Sequence, residues 1–169
     1  MQMSDTRQIA ATPAEVYAAL LDPDMLKACV PGATEVTGSP EEGYVATVVQ
    51  KVGPVKATFK GEVTISEQVP DTSMKIEGAG KGGAAGFAKG GADVRLEATE
   101  GGCALSYDVE AKVGGKLAQL GSRIIDGFAK KMADQFFTNL QEALEGPAKG
   151  EETAEEAPAK KGWFGRAKS

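Results

Sequence analysis

The chain has 169 residues, with 24 acidic against 19 basic side chains, a net charge of −5 and no histidine. The length implies one domain with a small appendage, and the acidic balance argues against a general nucleic-acid binder, which would carry a basic face. The missing histidine removes the commonest general base, the usual serine and cysteine triads and most zinc sites, so no catalytic or metal-binding set is assigned.

The N-terminus lacks the apolar segment of a signal peptide, and no run of 18 apolar residues occurs, so a cytoplasmic, non-spanning protein is expected. A short strand is read near Arg7 to Ala10. In TPAEVYAALL, Thr12 is an N-cap, Pro13 suits the first helical position and Glu15 completes a capping box. Val16, Ala19 and Leu20 form its apolar face. Asp22 and Pro23 repeat the signature and open a short second helix through DMLKAC, which Val30, Pro31 and Gly32 end. Cys29 and Cys103 are far apart and in no CxxC arrangement; a disulfide stays open, with two buried free thiols the favoured reading.

Period-two alternation dominates the middle of the chain. Val55, Ala57, Phe59, Gly61, Val63 and Ile65 share one face of a strand, opposite Lys56, Thr58, Lys60, Glu62, Thr64 and Ser66. Met74 and Ile76 repeat the pattern, as do Val94, Leu96 and Ala98, then Leu105, Tyr107, Val109, Ala111 and Val113. Turn residues separate the runs at 39–43, 53–54, 70–73 and 100–102, giving a meander of about seven strands. The last element is read as one helix from Lys116 to Leu144, about 40 Å long at 1.5 Å per residue. Its stripe runs through Leu117, Leu120, Ile124, Phe128, Met132, Phe136, Leu140 and Leu144, with Ile125, Ala129, Ala133 and Phe137 beside it. An amphipathic helix after a one-sided sheet belongs across the sheet's apolar face.

GAGKGG at 78–83 matches the dinucleotide-binding fingerprint G-x-G-x-x-G. That fingerprint needs a helix opening at its third glycine. The next residues, AAGFAKGG, lead into another strand instead. The glycines read better as inward strand positions without bulk: Gly61, Gly78 and Gly80, with Ala92 facing them and Gly121 and Gly127 near the helix stripe. Missing side chains leave space for an apolar pocket. Two alternatives stand beside it, namely Phe87, Phe128 and Phe136 filling the space, or bulges at the glycines. The lining expected for a pocket is Phe59, Gly61, Val63, Met74, Ile76, Gly78, Gly80, Val94, Leu96, Tyr107, Val109, Leu120, Ile124, Phe128 and Met132. Glu97 and Asp108 fall on the wet face. Tyr107 points inward, and a core tyrosine is the reading preferred over a catalytic one.

ATPAEVYAALLDPDMLKACVPG (11–32), KVGPVKATFKGEV (51–63), the glycine-rich stretch with GGADVRL, and GGKLAQLGSRIIDG resemble the G-subunit family of carbon monoxide dehydrogenase. That family lies within the START and Bet v 1-like (SRPBCC) superfamily, and the resemblance covers about residues 3–144. It implies an α+β helix-grip fold: a curved antiparallel sheet around a long C-terminal helix, with two short helices after the first strand. It also implies a non-catalytic accessory protein linking a molybdenum hydroxylase such as carbon monoxide dehydrogenase, or another cytoplasmic oxidoreductase, to the membrane; an assembly or recruitment adaptor without a ligand, and a small enzyme acting on an apolar substrate, stand as alternatives. The apolar cavity would suit a respiratory quinone, menaquinone or ubiquinone, with no covalent cofactor.

Residues 1–145 are read as the ligand-binding domain and 146–159 as a disordered linker. Residues 160–169 form a basic, aromatic tail in which Lys160, Lys161, Arg166 and Lys168 surround Trp163 and Phe164. Cations beside aromatic rings suit a weak interfacial anchor, placing the protein peripherally on the inner face of the cell membrane. Docking to a protein partner and an inert terminus are the alternatives for this segment.

Overall fold

The structure is a computed structural model and describes residues 1–145. The linker at 146–159 and the tail at 160–169 lie outside the described residues. In chain order the elements are β1 (Gln2–Ile9), α1 (Pro13–Leu21), α2 (Pro23–Cys29), β2 (Ala33–Ser39), β3 (Gly43–Val52), β4 (Val55–Val69), β5 (Ser73–Lys81), β6 (Phe87–Thr99), β7 (Gly102–Gly114), α3 (Lys116–Gln119) and α4 (Ser122–Glu145). The strands form one antiparallel sheet in the order β1-β7-β6-β5-β4-β3-β2. Only β1 departs from meander order, crossing over to pair with β7 from Gln2↔Glu110 to Ile9↔Cys103.

The caps form as the residue types dictate. The Thr12 hydroxyl accepts from the Glu15 amide at 3.1 Å, and the Glu15 carboxylate accepts from the Thr12 amide at 2.9 Å. Asp22 ends α1 and starts α2, its carboxylate accepting from the Asp24 amide at 2.9 Å. Two tyrosines tie this helical pair to the sheet: Tyr17 donates to the Ser73 carbonyl at 3.0 Å and Tyr44 to the Leu21 carbonyl at 2.6 Å.

Two expectations are corrected. β1 begins at Gln2, well before Arg7. The last helix is two, because Gly121 adopts φ +89° between α3 and α4. An αR ladder cannot pass through that conformation, and glycine carries it without the Cβ penalty. Gly127 is exposed on the outer side of α4 and opens no space beneath it.

The packed core sits at one end. Ile9, Val16, Cys29, Cys103, Leu105 and Leu140 are almost completely buried, joined by Tyr17, Met74, Val94, Leu96, Tyr107 and Phe137. The C-terminal half of α4 is fastened there. Asn139 donates to the Cys29 carbonyl at 2.9 Å, Gln141 donates to the Gln8 carbonyl at 2.8 Å, and Glu145 accepts from the Ala10 amide at 2.9 Å. Among the described residues, no comparable bond joins residues 122–130 to the sheet.

Candidate functional site: the hollow beneath the last helix

Two adjacent rows of the inner sheet face carry little bulk. One runs Ala46, Gly61, Gly80, Ala88 across β3 to β6; the next runs Val63, Gly78, Gly90, Ala111 across β4 to β7. The glycines are not all there for one reason. At Gly90 a Cβ would lie 2.3 Å from the Glu110 carbonyl oxygen, so the β7 backbone itself forbids a side chain. At Gly80 a Cβ would meet only the β4 backbone, the Lys60 oxygen at 3.8 Å and the Gly61 Cα at 3.9 Å. No α4 atom is among the three nearest to the Cβ positions of Gly61 or Gly78, and none comes within 4 Å of that of Gly80. The helix instead approaches α2 and the flanking strands β1 and β3, spanning the middle of the sheet.

Burial divides the predicted lining into two groups. Phe59, Gly61, Val63, Ile76, Gly78, Gly80 and Val109 are half-buried on the inner face, and Leu120, Phe128 and Met132 are half-buried opposite them. Partial exposure on a face roofed by a helix means that water-sized space adjoins these side chains. Met74, Val94, Leu96 and Tyr107 are 2–7% exposed and belong to the packed core, so they floor the hollow at its closed end. Ile124 is 41% exposed and sits at the rim, where a Cβ on Gly53 of the β3–β4 turn would lie 3.6 Å from it. Of the three phenylalanines considered as filling, Phe87 is on the outer face and 47% exposed. Phe136 packs on Phe137 with ring centroids 5.1 Å apart, at the core end. Only Phe128 is left in the open half.

Beside the hollow, between β1 and α4, lies a cleft of about 330 Å³ whose lining includes the charged Asp5, Arg7, Lys130 and Asp134 together with Met3 and Tyr107. Arg7 enters it from the inner face, as partner of Leu105 in the register. Its guanidinium bonds Asp134 and rests 5.2 Å from the Phe137 ring, which stacks on Tyr107 with centroids 5.2 Å apart. Burial lowers the Arg7 pKa, but hydrogen bonds to Asp134 and Tyr107 outweigh it and the net shift is upward. The Nε atom is buried without a hydrogen bond; Asp5 lies 3.4 Å away, close enough for attraction but misaligned. Arg7, Asp134 and Phe137 form a site absent from the residues expected on sequence grounds. Its signal is the alternation Met3, Asp5, Arg7, Ile9, which a first strand starting near Arg7 leaves out.

Neither thiol is disulfide-bonded, and burial pushes both above the ordinary thiol value, with a backbone hydrogen bond at Glu97 partly opposing this for Cys103. A protonated, buried thiol is a poor nucleophile.

The profile of the carbon monoxide dehydrogenase G-subunit (CoxG) family matches residues 6–145. The chain belongs to that family. No curated protein matches. Among solved structures, a conserved protein from Geobacillus kaustophilus shares 27% identity, with 85% of this chain and 95% of that one covered and a TM-score of 0.79. Two others share the fold alone. Ara h 8.0201 has 14% identity, coverage of 85% and 97% and a TM-score of 0.57; the Aha1 dimer from Colwellia psychrerythraea has 17%, 86% and 96%, and 0.53. The fold of this CoxG family member is therefore the Bet v 1-like helix grip.

Proposed function

We propose that the protein is a non-enzymatic carrier that takes an apolar ligand, a respiratory quinone of the menaquinone or ubiquinone type, into the hollow. It thereby links a cytoplasmic molybdenum hydroxylase such as carbon monoxide dehydrogenase to the inner face of the cell membrane. The observation that carries this reading is the unfilled inner side of Gly80, where no side chain of the helix comes within 4 Å. Apolar burial at roughly 25 cal/mol per Å² supplies the attraction. A bilayer also solvates an isoprenoid chain well, so net uptake requires close fit along the half-buried faces of β4, β5 and α4. Family membership supports the enzyme partner. The basic, aromatic tail at 160–169 supplies the membrane contact in this reading.

The experiment is purification of the full chain from a membrane-containing host, followed by organic extraction. About one quinone per chain is the expected yield, and an extract free of every lipid overturns the proposal. Gly80→Phe tests the location: a Cβ there meets nothing nearer than 3.8 Å, so the variant should stay folded and lose the ligand. A Gly80→Phe chain that carries quinone as before moves the ligand out of this hollow.

A further inference from the structure

The outer face of the sheet, which the carrier reading does not use, has a segregated charge. At the end bearing the β3–β4 turn, three lysine pairs stand directly opposite each other on neighbouring strands: Lys51↔Lys56, Lys60↔Lys81 and Lys89↔Lys112. All six are exposed, and none forms an ion pair among the described residues. Like charges directly opposed across an antiparallel pair destabilise the sheet. The other end of the same face treats its own like-charge pair differently. Asp93↔Asp108 is relieved by Arg95, 2.9 Å from Asp108, and by the Ser4 hydroxyl at 2.6 Å. The lysines form no such bonds: Glu62, in the same row as Lys89 and Lys112, and Glu110, two positions from Lys112, make no ion pair with them.

Among these lysines sits an aromatic ring. Phe87, 47% exposed, is register partner of Lys81 and lies against Gly114, where a Cβ would come within 2.2 Å of the ring. Ile124, 41% exposed, stands at the same end, at the rim of the hollow. A surface in which six lysines outnumber the neighbouring glutamates Glu62 and Glu110, with apolar side chains at its edge, complements anionic headgroups over an acyl boundary.

We propose that this lysine-rich end of the folded domain is a docking surface for an anionic lipid bilayer, with Phe87 as its apolar contact. The contact is separate from the C-terminal tail and sets the rim of the hollow against the membrane. It does not depend on what the hollow carries.

The test uses the full chain with Phe87→Cys bearing an environment-sensitive dye, since both native cysteines are buried. With vesicles containing phosphatidylglycerol the dye emission should shift to the blue, and with phosphatidylcholine alone it should not. Combining Lys60→Gln, Lys81→Gln and Lys89→Gln in the native chain should weaken vesicle binding by roughly a hundredfold, about fivefold per lysine. Removing opposed charges should leave the melting temperature equal or higher, so loss of fold is not the confounder. The proposal is overturned if the triple variant binds vesicles like the native chain, or if the labelled chain binds vesicles with no dye shift, which is attachment by the tail alone. It is equally overturned if the lysines prove necessary only for binding an acidic protein. The carrier reading fails separately, by a lipid-free extract.

Discussion

Arg7 shows how one side chain acts through several neighbours. It bonds Asp134, sits against Phe137 and faces Tyr107, tying β1 to α4. The Asp134 carboxyl is held below its usual value by the hydrogen bond from Arg7 first and that from Lys130 second. A carboxylate with a depressed folded-state pKa stabilises the fold fully above its unfolded value, about 3.9, and that contribution is lost as pH falls through the folded value. Asp134→Asn should therefore lower the urea midpoint at neutral pH and reduce the drop between neutral and acidic solution. An unchanged acid limb would assign the pH dependence to other carboxylates. In sequence Arg7 is visible only as a cation near a strand, because the ring it rests on is 130 positions away along the chain.

At the scale of elements, the helix that starts after the break at Gly121 has a looser first half and a fastened second half. α4 is bonded to its surroundings at Asp134, Asn139, Gln141 and Glu145, all in its second half. Its first half carries the half-buried stripe over the hollow. Gly121→Ala meets no atom within 4 Å but must hold φ +89°, so the cost is strain alone, about 1–2 kcal/mol. Denaturant unfolding checks it. A neutral result would mean the α3–α4 junction relaxes into a continuous helix, as the sequence pattern implies. The apolar spacing from Leu117 to Leu144 runs through the break without interruption, and for that reason periodicity alone does not reveal it.

The whole molecule combines a packed end and an open end under one helix. Truncations should differ accordingly. Leu140→Ala, at 0% exposure, should cost about 2–5 kcal/mol. Phe128→Ala, half-buried over the hollow, should cost roughly 1 kcal/mol in the ligand-free chain. Equal losses at the two positions, measured by urea melts, would mean the open end is packed as tightly as the closed one. Among the described residues no helix is long and apolar enough to cross a membrane. In the proposed function, lipid is reached by surface contact, at the lysine-rich end and through the tail.

The sequence by itself determined what depends on neighbours within a few positions. The capping box at Thr12 and Glu15, the shared cap at Asp22, the turns and the alternation of β4 to β7 are all set by local chemistry and period. Only the tertiary structure decided which glycine leaves room and which is forced by a passing backbone, as at Gly80 and Gly90. It also decided that Phe87 faces outward, that Arg7 meets Asp134 and Phe137, and that three lysine pairs meet across the sheet. Each of these depends on strand register and on how far the helix stands from the sheet. Both are properties of packing between distant segments, and no local pattern encodes them.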